Sequence, residues 1–174
     1  MSVIVEVGAH EGAETLHFLS DAEALVYAFE PDWQKFQVLQ KLSHQYPRLT
    51  VLPFAVDIGD SQEPLFDFMD GLSTLQPPWG QPSAPFRMVW TMRLDTFIHL
   101  YSIDKIDYLR IDAPLREEMA LESLGQYVCR VVRGRVCIYD DQQTTVPAFL
   151  YDAGFHLAKD SALTFGKPDV RFWR

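Results

Sequence analysis

Val3-Ile4-Val5-Glu6-Val7-Gly8-Ala9-His10-Glu11-Gly12 is the stretch that decides the fold. A β-branched run ends in an acid, and two glycines then bracket a short turn before a helix-forming segment. This is the pattern of a parallel strand passing into a tight turn and a helix N-terminus, where the backbone comes close to a ligand. Further along, Leu25-Val26-Tyr27-Ala28-Phe29 is a second apolar run closed by an acid, Glu30. Two acid-tipped strands, the first leading into a glycine turn, fit a nucleoside-bearing cofactor.

Outward from this core the chain alternates between strand and helix patterns. Strands are expected at 3–9, 25–30, 49–56, 88–92, 106–112 and 134–139, with Pro53 marking an edge or a bulge in the third. Helices are expected at 12–20, from Pro31 to about Gln45, at 94–101, 115–126 and 145–153. Leu16 and Leu19 share one face of the first; Trp33, Phe36, Leu39 and Leu42 mark the inner face of the second. Pro31 suits a first helical position and Gly154 a helix stop. Residues 155–158 and 161–172 close as a hairpin. The fold class is therefore α/β: a three-layer, doubly wound, mostly parallel sheet with a C-terminal antiparallel hairpin. Between about 57 and 87 no element is expected, because Pro77, Pro78, Pro82 and Pro85 interrupt it. The proline-rich loop at 71–87 is expected to shape a pocket, and residues 1–174 to form one domain.

Composition narrows the classes. The chain has 174 residues, 48% hydrophobic and 22% charged, which is the composition of a globular protein. No apolar stretch approaches the ~20 residues of a membrane span, and the N-terminus lacks a signal-peptide pattern. The expectation is a cytoplasmic protein with no membrane partner, and with Cys129 and Cys137 buried and reduced. A formal net charge of −9 makes nucleic acid a poor partner. The cluster Arg130, Arg133 and Arg135 reads as a solvated strand edge or loop. A small-molecule acceptor and a homo-oligomeric partner remain open.

Glu6, Gly8, Gly12, Glu30, Asp57, Asp112, Asp140 and Asp141 all fall at or just past strand ends, so a parallel sheet gathers them on one rim. The turn lacks the middle glycine of a dinucleotide fingerprint and carries Glu11 where a diphosphate would be repelled. A phosphate-free cofactor with a cationic reactive end, S-adenosylmethionine, suits the acidic rim. His10 lies in the turn, within reach of an acceptor.

Here the chain resembles the class I methyltransferases, and more narrowly the FkbM family. The shared pattern is Glu6-x-Gly8-Ala9-His10-x-Gly12, then Phe29-Glu30-Pro31, then Met92-Arg93-Leu94-Asp95, then Ile106-Asp107-Tyr108-Leu109-Arg110-Ile111-Asp112. The resemblance implies a seven-stranded, Rossmann-like methyltransferase fold and methyl transfer from S-adenosylmethionine to an oxygen, often on a sugar or small metabolite. It places Glu6, Gly8, Ala9, His10, Gly12, Glu30 and Pro31 around the cofactor, with Asp57 toward the adenine and Asp112, His10 and Glu117 on the catalytic side. The family follows its last motif with Glu-Gly, where this chain has Pro114-Leu115; Glu117 matches the final acid of that motif. A degenerate fold that binds without transferring methyl is the alternative this raises. Asp112 with Asp140 and Asp141 also resembles the metal triad of catechol-type and macrocin-type O-methyltransferases, which would imply Mg²⁺. A nucleotide-dependent oxidoreductase ranks below these.

Overall fold

The computed structural model describes residues 1–67, 71–77, 85–139, 145–158, 163–164 and 167–174. In chain order its strands are β1 Ser2–Val7, β2 Ala24–Phe29, β3 Leu49–Leu52, β4 Ala55–Val56, β5 Gln62–Asp67, β6 Ser73–Thr74, β7 Phe86–Met92, β8 Tyr108–Ile111, β9 Arg133–Cys137, β10 His156–Leu157, β11 Leu163–Thr164 and β12 Lys167–Trp173. The helices are α1 Ala13–Leu19, α2 Trp33–Ser43, α3 Leu94–Leu100, α4 Glu117–Glu122 and α5 Val146–Asp152, with a 3₁₀ helix at Gly125–Arg130.

The main sheet runs β10-β12-β9-β8-β1-β2-β3, with β11 paired to β12. From β9 to β3 every pairing is parallel, while β12 joins β9 and β10 antiparallel. The α/β, mostly parallel sheet and the antiparallel C-terminal pair read from sequence are thus present. β1 has β2 on one side and β8 on the other, so the strand order reverses there. The crevice beyond the carboxyl end of β1 is the position at which ligands bind in open α/β sheets.

Alternation sorts each strand's side chains between two faces. Val5, Val7, Phe29, Leu109, Ile111, Val136 and Phe172 face α3, α4 and α5 in the larger core. Ile4, Val26 and Ala28 meet Leu19 of α1 and Leu39 of α2 in a smaller one. On this second face β8, β9 and β12 place Arg110, Arg135 and Arg171 side by side, where hydrocarbon would be expected.

Several local expectations need correction. The strand expected at 49–56 breaks at Pro53: β3 stays in the main sheet, and β4 crosses to pair with β7 in a second sheet, β4-β7-β5-β6. The region 57–87 is therefore not structureless. Pro64 is tolerated within β5 because β6 reaches only Phe66 and Asp67, which leaves one edge of β5 free at the proline. Residues 78–84 of the proline-rich loop lie outside the described residues. α2 starts at Trp33, not at Pro31, because the Asp32 carboxylate caps it by accepting from Gln34 N and Lys35 N. Trp33 is 59% exposed, stacked on Phe36. At 100° per residue, six positions carry it about 120° around the helix from Leu39. Leu16 is also exposed, with Thr15 and Leu19 turned inward. The helix expected at 115–126 ends at Glu122 and gives way to the 3₁₀ segment, on which Cys129 is exposed; only Cys137 is buried, and both are free thiols. Arg135 is not on a solvated edge: β9 lies between β8 and β12. Among the described residues, no helix is long and apolar enough to cross a membrane.

Candidate functional site

A cavity of about 550 Å³ opens at the carboxyl end of β1. It is walled by the β1–α1 turn, Glu30 and Pro31 after β2, Phe54 to Val56, the β5–β6 region, and the ends of β8 and β9. Its size falls within the range of small-molecule sites.

The turn is built by backbone conformations that suit glycine. Gly8 has φ +78° and Gly12 φ +87°, while His10 takes φ +52° between them. A Cβ at Gly8 would collide with the Asp112 carbonyl, whose carbon lies 3.0 Å from that point. β1 and β8 can therefore approach this closely only without a side chain here. At Gly12 a Cβ would strike Leu39 of α2 at 2.7 Å, so this glycine seats α1 against α2 and does not line the cavity.

Glu30 is 4% exposed and lines the cavity. Its Oε2 accepts the His10 amide at 2.8 Å and its Oε1 the Asp32 amide at 2.9 Å. One carboxylate thus ties the glycine turn to the start of α2, and each oxygen keeps a further lone pair. Burial pushes its pKa up, and the two amides pull against that shift.

Glu6, fully buried, accepts from Thr15 Oγ1 at 2.6 Å and lies 3.5 Å from Arg110 Nη1. Burial pushes its pKa up to about 7, opposed by Thr15 and Arg110. Asp112 accepts Arg110 Nη2 at 2.7 Å on one oxygen and the Tyr139 hydroxyl on the other. Burial and the Asp112 charge both push the Tyr139 phenol upward, so it stays protonated and donates. Glu117 accepts the Tyr139 amide at 3.0 Å, with its pKa raised by burial to about 7.

The structure brings Glu6, Gly8, Ala9, His10, Glu30, Pro31 and Asp112 to one cavity. Glu117 and Asp57 are not among its lining residues. Asp57, 4% exposed, pairs with Arg116 and accepts the Ile58 amide at 2.8 Å. Asp140 and Asp141 lie outside the described residues. Among the described residues, no group of three or more His, Cys, Asp or Glu could hold a metal ion. Sequence reasoning missed Arg110, Arg116 and Arg135, all of which line the cavity. For Arg110 and Arg135 the available signal was an arginine two residues before a strand-ending Asp or Cys, inside strands that should be apolar; Arg116, just before α4, carried no such signal.

This crevice and sheet order define the class: a doubly wound, Rossmann-like α/β domain. The chain belongs to the methyltransferase FkbM domain family, whose model matches residues 6–159. Similar in structure are an rRNA methylase from Streptococcus thermophilus (13% identity, TM-score 0.55, covering 99% of this chain and 86% of that one) and fibrillarin from Aeropyrum pernix with natively bound S-adenosyl-L-methionine (12%, 0.59, 99% and 65%). TrmK from M. capricolum, in complex with the cofactor product S-adenosyl-homocysteine, is also similar (10%, 0.51, 99% and 60%). At these identities the likeness is one of fold. No curated protein matches the chain in sequence. Family and fold together make this a methyltransferase with a Rossmann-like fold.

Proposed function

We propose that this protein methylates a hydroxyl oxygen of a small acceptor, with S-adenosylmethionine as donor. The observation that carries the reading is the junction of Gly8, Glu30 and Asp112 on one cavity, with the glycine packed against the Asp112 carbonyl. Gly8 and Ala9 offer bare backbone to the methionine end of the cofactor, and Gly12 fixes the turn behind them. Glu30, immobilised by two amides, has lone pairs left for ribose hydroxyls, with Pro31 beside it and Glu6 beneath the turn. When bound, the cofactor supplies an electrophilic methyl group on a sulfonium.

Asp112 is the group placed to take the acceptor's hydroxyl proton as the new oxygen–methyl bond forms. Arg110 and Tyr139 aim its carboxylate by holding one oxygen each. Glu117 acts one step back, as a positioning residue that fixes Tyr139 through its amide. His10, at the cavity rim, orients the acceptor. Asp57 holds Arg116, which lines the cavity. Methyl transfer is an in-line displacement, so alignment of this kind can supply ~7–11 kcal/mol of the barrier reduction.

The segment Ala113–Glu117, where the chain departs from its family, is firmly seated. Thr74 Oγ1 donates to Pro114 O at 2.6 Å, and Arg116 holds Asp57. Two of the structurally similar proteins are described as an rRNA methylase and as TrmK. The net charge of −9 favours a small acceptor here. The test is tritiated-methyl transfer from S-adenosylmethionine to a panel of hydroxylated acceptors, with products checked for stability to alkali. Alkali-stable label, as a methyl ether, is expected. Cofactor binding with no transfer would show a fold that binds and does not catalyse.

A further inference from the structure

The cavity is polarised. On the side of β1, β2, α1 and α2 its charged lining is Glu6, Glu11, Glu14 and Glu30 with Lys35; on the side of β8, β9 and β12 it is Arg110, Arg116 and Arg135 with Asp112 and Asp169. Strand register explains the second wall. Glu6 pairs with Arg110, Arg110 with Arg135, and Arg135 with Arg171, so one cross-strand row runs over β1, β8, β9 and β12. At ~4.8 Å between strands the row spans about 14 Å.

Central strands of a parallel sheet are normally hydrocarbon on both faces. Arg110 is nevertheless 9% exposed, and burying an ion costs several kcal/mol before pairing. The acids on this side do not use up the guanidinium groups. Asp112 takes Arg110 at 2.7 Å, and Asp169 Oδ2 lies 2.6 Å from Arg135 Nε. The same Asp169 is 3.8 Å from Arg171, and Glu6 reaches Arg110 only at 3.5 Å. Three arginines thus face two aspartates and one distant glutamate, whose charge burial disfavours. Arg133, exposed over the Tyr108 ring, adds a fourth cation beside the row. Of the five N–H donors of Arg110, two have partners, and its buried Nε has none.

Resting on the methyl-transfer reading above, we infer that the acceptor carries an anionic group that docks on Arg110 and Arg135, with Arg171 at the outer end of the row, while its hydroxyl lies at Asp112. Arg135 is one strand over and two residues back from Asp112, a separation of about 8 Å along the sheet. That span fits a hydroxy acid or a sugar phosphate, whose hydroxyl and anion are a few bonds apart. A planar guanidinium fork suits either carboxylate or phosphate.

The experiment titrates inorganic phosphate, sulfate and acetate into the protein at matched ionic strength and reads the melting temperature. A saturable rise with at least one of them is expected, weakened at least tenfold in Arg135→Gln, with S-adenosylmethionine affinity held within twofold. Arg171→Gln, at an exposed position, covers the case in which Arg135→Gln fails to fold; it should weaken the anion about threefold. No shift from any of the three anions, or full anion affinity retained in the folded variants, would overturn the inference. The acceptor panel separates it from the reading beneath it. At least tenfold higher kcat/KM for hydroxy acids or sugar phosphates than for neutral sugars is expected. Equal turnover of both would overturn the anion site and leave methyl transfer standing. A single-stranded oligonucleotide that outcompetes free phosphate would assign the anion to nucleic acid and overturn a small acceptor.

Discussion

Replacing Glu6 by Gln should change how stability depends on pH, by an amount the site itself sets. Glu6 is fully buried at the end of β1, hydrogen-bonded to Thr15, with a pKa near 7 in the folded protein against 4.5 for the ordinary side chain. Between those values the native state holds a proton that the unfolded chain has released. Stability from this group is therefore full below pH 4.5 and is lost as pH rises through 7. Integrating the two titrations from pH 5 to pH 8 gives a loss of about 2–3 kcal/mol. Glutamine keeps a similar shape and cannot titrate, so the variant should lose about that much less over the same interval. Urea unfolding of both proteins at pH 5 and pH 8 measures the difference directly. Glu117, raised by burial in the same direction, is present in both and cancels in the comparison. A difference in slope below about 0.5 kcal/mol, or one of opposite sign, would refute a Glu6 that is neutral in the folded protein at mildly acidic pH.

Three further outcomes follow from the geometry. Gly8→Ala forces a side chain into the Asp112 carbonyl at φ +78°, so it should lower the melting temperature and abolish detectable cofactor binding by calorimetry. Arg116→Met strands the buried Asp57 carboxylate and should cost about 2–4 kcal/mol in urea unfolding, most of it recovered when Asp57→Asn is added. Tyr139→Phe removes one of the two hydrogen bonds that aim Asp112. It should cost about 1–2 kcal/mol of stability and lower kcat while the KM for S-adenosylmethionine holds.

How far the sequence carried the reading depended on whether the physics was local. Val3–Gly12 and Leu25–Glu30 declare themselves because strand propensity, a terminal acid and positive-φ glycines are properties of neighbouring residues. The acidic half of the site was legible for that reason. β5 was not, because Gln62-Glu63-Pro64 has little strand propensity and is held extended by pairing with β7. The arginine row was equally hidden. Arg110, Arg135 and Arg171 are far apart in the chain, and only strand register brings them side by side. Asp57 sits just past a strand, as its sequence position suggested. Its partner Arg116 lies 59 residues away, and it is this arginine, not Asp57, that lines the cavity. Trp33 shows a smaller version of the same limit, since a strict three-residue spacing drifts off a helix face that turns every 3.6 residues.

The most direct test of the account is calorimetric titration of S-adenosylmethionine into the protein and into Glu30→Ala. The account predicts one saturable site, weakened at least tenfold by the substitution, because the carboxylate both pins the His10 and Asp32 amides and faces the cavity. Undiminished affinity in Glu30→Ala, or no binding by the unaltered protein, would contradict it.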